Sequence, residues 1–123
     1  MKLWNNRAPT VMLMGRFQPW HGGHQALFEQ ALLRADQVLI AVRDTQGTDD
    51  KNPFDFDFVK QCIDDQLAET HAGRYQVMLM PNITNVVYGR DVGYKVEQVH
   101  LDAVTEAISA TQVRAQMKSE GLI

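Results

Sequence analysis

The segment Gly15–His24 has the composition of a phosphate-binding loop, GRFQPWHGGH. It follows a short apolar run and precedes apolar residues at helical spacing, so it is predicted to join a strand to a helix. Glycines let a ligand approach the backbone closely, and the free N–H groups of a helix N-terminus attract anions. Arg16, His21 and His24 stand around this predicted helix end. We therefore expect the loop to bind phosphate.

The two histidines also allow a different interpretation, a metal site. His21 and His24 are three residues apart, a spacing that could hold a metal ion. However, no cysteine or acidic residue lies close by in the sequence to complete a tetrahedral set, and Cys62 is the one cysteine of the chain. We favour the phosphate interpretation and predict no metal-ligating side chain.

A second candidate phosphate site lies at residues 108–114, which read ISATQVR. Ser109 and Gln112 have the spacing of a capping box, so a helix is predicted to begin here. Thr111 and Arg114 are three residues apart and share a face of that helix. The segment thus places hydroxyl groups, a guanidinium group and free N–H groups at one helix N-terminus.

The apolar runs predict five strands, at Thr10–Met14, Gln37–Val42, Tyr75–Met80, Val86–Tyr88 and Tyr94–Leu101. Helical spacing predicts three helices, with apolar faces at Leu27–Ala35 and Phe54–Leu67 and a last helix at Ser109–Lys118. This alternation favours a single Rossmann-like α/β domain over residues 1–123. Its five-stranded, mainly parallel sheet would carry helices on both faces. Ligands of such sheets bind beyond the carboxyl ends of the strands, where both candidate loops are expected.

Composition and charge exclude several classes of protein. The 123 residues are 45% apolar and 22% charged, which is ordinary for one soluble domain. A net charge of −3 argues against a nucleic-acid interface, which is usually basic. No apolar run approaches the length of a membrane span, and the first residues lack the apolar core of a signal peptide. We expect a cytoplasmic protein that binds neither nucleic acid nor membranes.

The two motifs together resemble those of the HxGH nucleotidyltransferase superfamily, whose members have a cytidylyltransferase-like domain. The family pattern is G-x-F-x-P-x-H-x-G-H near the N-terminus and I-S-x-T-x-x-R near the C-terminus, and both occur here in that order. The first motif is most similar to that of nicotinamide mononucleotide (NMN) adenylyltransferases. Asn52-Pro53-Phe54 also resembles a segment of those enzymes, whereas Val59 stands where they carry an arginine.

The resemblance implies an enzyme that transfers AMP from ATP to a small phosphorylated acceptor, such as NMN, and releases pyrophosphate. It also implies a Mg²⁺ ion that bridges the phosphates, and it leaves a homo-oligomer open. Two alternatives remain. One is cytidylyl transfer from CTP to a sugar or polyol phosphate, although Arg16 with Gln18 favours the adenylyl reaction. The other is a nucleotide-binding module without catalysis.

The resemblance also implies roles for individual residues. Catalysis is implied for His21, His24 and Arg114. Nucleotide binding is implied for residues of both motifs and of one further loop, namely Gly15, Arg16, Phe17, Gln18, Gly23, Arg90, Ser109 and Thr111. The acceptor is expected to meet three basic residues, Arg16, Arg43 and Lys51.

Overall fold

A computed structural model describes residues 3–91 and 93–123 of the chain. Three parallel strands form one sheet in the order β1-β2-β3, namely β1 (Thr10–Gly15), β2 (Gln37–Arg43) and β3 (Tyr75–Met80). Helix α1 (Gly22–Leu32) connects β1 to β2, and α2 (Phe56–His71) connects β2 to β3. The predicted α/β class and these five elements are confirmed, with boundaries that shift by a few residues at most element ends.

Both connecting helices pack on one face of the sheet. Val38, Ile40 and Val42 of β2 point to this face and are almost fully buried. They share one apolar cluster with Phe28 of α1 and with the apolar face of α2. This arrangement follows from chain direction, because two successive right-handed crossovers that add strands on the same side place both helices on the same face.

The opposite face of the sheet is open, which corrects the prediction of helices on both faces. Met12 and Met14 of β1 are 48% and 50% exposed, and Met78 of β3 is 37% exposed. Apolar runs in β1 and β3 suggested strands buried on both sides. In the described residues, however, the side chains of β1 and β3 on this face stay partly exposed at Met12, Met14 and Met78, although Ala41 of the central strand is fully buried there.

The predicted fourth and fifth strands are wrong, because the described sheet has three strands and not five. Val86–Tyr88 and Tyr94–Leu101 have no regular secondary structure, although Val92 between them lies outside the described residues. A strand needs a neighbouring strand for its N–H and C=O groups. Neither segment pairs with β1 or β3, and Val87 and Val96 are more than four-fifths exposed. Apolar alternation alone did not decide the structure here.

Two short helices follow, α3 (Ala103–Glu106) and α4 (Ala110–Ser119). The sequence predicted α4 within one residue at each end and did not predict α3. Asp102 caps α3 by accepting the N–H of Thr105, and Ser109 caps α4 by accepting the N–H of Gln112. None of the described helices is long and apolar enough to cross a membrane.

We predict that Ile63→Ala destabilises the fold by about 2–5 kcal/mol, because Ile63 lies in the centre of the α2 face and is fully buried. Denaturation in urea measures this change. Gln66→Ala on the exposed side of the same helix is the control and should change stability by less than about 0.5 kcal/mol. Equal effects of the two substitutions would contradict the described packing of α2.

Candidate functional site

The N-terminus of α1 is capped by two histidines whose side chains accept backbone N–H groups. His21 is the N-cap residue, and its Nδ1 accepts the N–H of Gly23 at 3.0 Å. Nδ1 of His24 accepts the N–H of His21 at 3.1 Å. The two imidazole rings stack with their centroids 3.8 Å apart. Because each Nδ1 acts as an acceptor, each neutral ring carries its proton on Nε2 and offers an Nε2–H donor.

Gly23 is required by this stacked arrangement. A Cβ atom at position 23 would lie 2.9 Å from Cε1 and 3.1 Å from Nδ1 of His21. The imidazole of His21 therefore occupies space that any larger residue would take. This gives the second glycine of the motif a steric role beside the N–H group that it donates.

Burial keeps both histidines uncharged at neutral pH. The pKa of His24 is lowered to about 3, mainly by burial and to a smaller extent by the nearby charge of His21. Burial also lowers the pKa of His21. The rings of Phe17 and Trp20 pack against His24, with centroids 4.8 and 5.5 Å away. These aromatic side chains fix the loop on the core, since both are less than a tenth exposed.

A cavity of about 870 Å³ opens beside His24. This volume lies within the usual range of small-molecule sites, about 300–1,000 Å³. Three segments of the chain form most of its walls: residues 16–18 with His24, residues 49–53 after β2, and the face of α4 that carries Thr111 and Arg114. Ile123 also lines the cavity. The cavity therefore lies where the loops after β1 and β2 meet the second candidate helix end.

Arg114 joins α4 to the loop after β1. Its Nη1 donates to the backbone carbonyl of Gln18 at 2.7 Å, and its Nη2 lies 3.5 Å from Oγ1 of Thr111. The predicted common face of Thr111 and Arg114 is thus observed. One of the two candidate phosphate segments is bonded directly to the other.

The loop of residues 49–53 is ordered by Asp49. One carboxylate oxygen of Asp49 accepts the backbone N–H groups of Lys51 and Asn52 and the side-chain amide of Asn52, at 2.8–3.2 Å. The bond from the Asn52 N–H contributes most to lowering the pKa of Asp49, and the charge of Arg16 adds to it. Asp49 is therefore ionised and helps to hold this loop at the cavity, beside Arg16.

The structure brings most predicted site residues to this one cavity. Those that line it are Arg16, Phe17, Gln18, His24, Lys51, Thr111 and Arg114. Others support it from behind, since His21 stacks on His24, Gly15 packs under Phe17, and Ser109 caps α4.

Arg43 and Arg90 are placed elsewhere. Nε of Arg43 donates to Oδ1 of Asn82 at 2.6 Å, and Arg90 lies on an exposed stretch that does not line the cavity. The sequence expected Arg43 at the acceptor and Arg90 at the nucleotide, and the described cavity contains neither side chain.

Sequence reasoning missed Lys118. This residue lines the cavity from α4, one turn beyond Arg114. Spacings of four and seven residues from Arg114 and Thr111 place all three on one helical face, so the signal was present in the sequence. Lys118 is exposed and forms no ion pair within the described residues.

The described residues contain no cluster of three or more histidine, cysteine or acidic side chains that could hold a metal ion by itself. Asp49 and Asp50 are the carboxylates on the cavity wall. Mg²⁺ commonly takes one or two carboxylates together with substrate phosphates and water. The donor set thus suits a metal ion that arrives with phosphates better than a resident one.

Two solved structures of a bifunctional NMN adenylyltransferase/ADP-ribose pyrophosphatase from Francisella tularensis resemble this chain. One, complexed with AMP and a manganese ion, has a TM-score of 0.54 at 27% identity over 60% of this chain and 23% of its own. The other has a TM-score of 0.54 at 30% identity over 60% of this chain and 22% of its own.

The chain has a nucleotidyltransferase-like fold, and these structural neighbours are enzymes of the nucleotidyltransferase type. It spans less than a quarter of the length of either neighbour. No protein-family profile and no curated protein matches it.

We predict that the free energy of unfolding falls as the pH drops below 6.5, because His24 is protonated in the unfolded chain and not in the folded one. The folded pKa is about 3 against an ordinary value of 6.5, so this contribution is complete above pH 6.5 and is lost toward pH 3. Lowering the pH from 7.5 to 5.0 is therefore expected to reduce the free energy of unfolding by about 2 kcal/mol.

Urea denaturation at both pH values measures this loss, and His24→Asn should reduce it. Asparagine retains an oxygen near the position of Nδ1 and does not titrate. His100→Asn is the control, since the side chain of His100 is 75% exposed. An unchanged pH dependence in His24→Asn would show that His24 is not buried in its neutral form.

Proposed function

We propose that this protein is a nucleotidyltransferase that transfers AMP from ATP to a small phosphorylated acceptor. The observation that carries the proposal is the meeting of two helix N-termini at one cavity. The α1 end contributes His24, and the α4 end contributes Thr111 and Arg114. Both ends favour anions through their free N–H groups and their dipoles. A chain of negative phosphates is the ligand that uses two such ends at once.

The neutral histidines suit a role as hydrogen-bond donors. Nδ1 is occupied in both rings, so Nε2–H is the group left for a ligand. Donors that are fixed before the substrate arrives need not reorganise during the reaction. They therefore stabilise the charge that develops in the transition state. A bound polyphosphate would also favour the protonated imidazole, since an opposite charge nearby raises the pKa of a histidine.

In the proposed reaction, a phosphate oxygen of the acceptor attacks the α-phosphorus of ATP. One P–O bond forms there, and the bond from the α-phosphorus to the oxygen that bridges to the β-phosphate breaks, so that pyrophosphate leaves with the electron pair. His24 would donate to the α-phosphate, and Arg114 with Thr111 would hold the departing pyrophosphate. No side chain needs to form a covalent bond, since positioning and charge stabilisation suffice for this type of transfer.

The acceptor is proposed to enter beside the loop of residues 49–53. Arg16 and Lys51 line the cavity there, and both are exposed cations without a described ion-pair partner. Val59 is fully buried and offers no charge at the position where NMN adenylyltransferases carry an arginine. NMN is the first acceptor to test, because NMN adenylyltransferase is one of the two activities for which both structural neighbours are named. Other phosphate monoesters follow it.

A Mg²⁺ ion is proposed to enter with the triphosphate. When bound, it would neutralise phosphate charge and orient the phosphates for in-line attack. Asp50 and the second carboxylate oxygen of Asp49 are the protein oxygens at the cavity that could contact it or its water molecules.

Pyrophosphate release from each of ATP, CTP, GTP and UTP with Mg²⁺ and an acceptor tests the function. We expect turnover with ATP, and a loss of about 10²–10³-fold in kcat for His24→Ala and for Arg114→Ala, the size of effect seen when a transition-state donor is removed. Arg7→Ala and His100→Ala, at exposed positions away from the cavity, should keep wild-type rates.

Turnover with CTP alone would instead assign cytidylyl transfer. Binding of triphosphate without turnover on any acceptor would assign a binding module.

We also predict that Lys118→Ala raises the Kd for ATP by roughly 2- to 5-fold, because an exposed cation on the cavity wall contributes up to about 1 kcal/mol. Isothermal titration at low salt measures this, and the difference should shrink at high salt. Lys95→Ala removes the same charge from an exposed site outside the cavity. An equal effect of Lys95→Ala would mean that only net charge matters.

A further inference from the structure

Gln18 makes an unusual set of contacts for a residue of a ligand-binding loop. Its side chain is buried, with 4% of the residue exposed. Nε2 donates to the backbone carbonyl of Phe54 at 2.9 Å, and Oε1 accepts the backbone N–H of Phe54 at 2.9 Å. The carboxamide thus pairs with both polar groups of one residue that lies 36 positions away. The backbone carbonyl of Gln18 meanwhile accepts the bond from Arg114.

These three bonds connect the three walls of the cavity. Gln18 belongs to the loop after β1 that leads to His24. Phe54 directly follows the loop of residues 49–53 and precedes Asp55, the N-cap residue of α2. Phe54 is itself buried, and its ring stacks on that of Phe58 in the first turn of α2. Arg114 belongs to α4. The other two walls are thus each hydrogen-bonded to Gln18, directly or through the residue that follows the loop.

We propose that Gln18 is a positioning residue for nucleotidyl transfer, because its side chain sets the gap between the phosphate-binding wall and the acceptor-side loop. The inference rests on the proposed function and assigns to Gln18 a role that its backbone alone would not give. The reacting atoms of a bound pair must lie about 3–3.5 Å apart, and a displacement of 1 Å can cost about 10²-fold in rate. A buried pair of hydrogen bonds at the junction of both walls is suited to prevent such a displacement.

Glutamine is the residue type that fits this junction. Asparagine is one methylene shorter and would not reach Phe54 in the same way. Methionine has a similar length but would leave the N–H and C=O of Phe54 buried without partners. An ionised glutamate would accept the N–H but could not donate to the carbonyl. A protonated glutamate offers one acceptor and one donor, which is the set that the amide of Gln18 provides.

Steady-state kinetics with ATP, Mg²⁺ and NMN test the proposal. Gln18→Met should lower kcat by at least 10-fold, while the KM for ATP changes less than 3-fold, because Arg16, His24 and Arg114 still face the phosphates. Gln66→Met is the matched control on the exposed side of α2 and should leave both parameters unchanged. All assays are run well below the Tm of the least stable variant, so that lost stability does not lower kcat.

Gln18→Glu separates positioning from a purely structural role. Burial raises the pKa of a carboxyl group, so the protonated form returns as the pH falls. The ratio of kcat in Gln18→Glu to that of the wild type should therefore rise between pH 8 and pH 6. Gln66→Glu should show a constant ratio near one. A constant low ratio for Gln18→Glu, or a wild-type kcat for Gln18→Met, would overturn the proposal.

Failure of the proposed function gives a different result from failure of this inference. If the wild type releases pyrophosphate and Gln18→Met keeps the same kcat, only the role of Gln18 is wrong. If the wild type releases none with any acceptor, the proposed function is wrong, and hydrogen exchange then decides whether Gln18 links the walls. In the absence of any ligand, the amides of residues 49–54 should exchange faster in Gln18→Met than in the wild type. Equal exchange in both proteins would overturn the link.

Discussion

The hydrogen bond from Arg114 to the carbonyl of Gln18 is the interaction on which the site depends. It joins residues that are 96 positions apart in the chain, at 2.7 Å. It holds the loop after β1 and the N-terminus of α4 at one cavity, while Met117 packs α4 against the core. In the proposed function, the dipoles and N–H groups of both helix ends act on the same ligand. The charged donor also makes this bond stronger than a neutral one.

A second constraint acts on the histidine pair. The Nδ1 atom of each ring accepts a backbone N–H, and the two rings stack on each other. This fixes the tautomer, lowers both pKa values through burial, and leaves Nε2–H as the remaining donor. The arrangement has a cost in stability at acid pH, since the neutral form must be maintained in the fold. In the proposed function, its benefit is an oriented Nε2–H donor on His24, which lines the cavity and needs no rearrangement when an anion binds.

The sequence predicted the parts of the molecule that depend on local patterns. β3 was predicted at its observed boundaries, Ser109 was predicted to cap α4, and Thr111 with Arg114 was predicted to share a helical face. These features follow from periodicity and capping within a few residues. The presence of Lys118 on the same face could have been found by the same reasoning, extended by one turn.

Features that depend on distant partners were not predictable in this way. Val86–Tyr88 has the apolar character of a strand, but a strand also requires a neighbour, which the sequence does not specify. The bonds between Gln18 and Phe54 join two loops, so no local pattern indicated them. Arg43 ends β2 at the expected edge of the sheet, yet it bonds to Asn82 instead of lining the cavity. In each case the tertiary partner decided the outcome.

The central claim is that the two helix N-termini form a single triphosphate site, and a double-mutant cycle on ATP binding tests it most directly. The Kd for ATP with Mg²⁺ is measured by calorimetry for the wild type, His24→Ala, Arg114→Ala and the double variant. Our account predicts one ATP per chain, a weaker Kd in each single variant, and a combined effect that departs from additivity, since both residues act on one bound ligand. Two independent binding events, or an affinity for ATP that neither substitution changes, would contradict it.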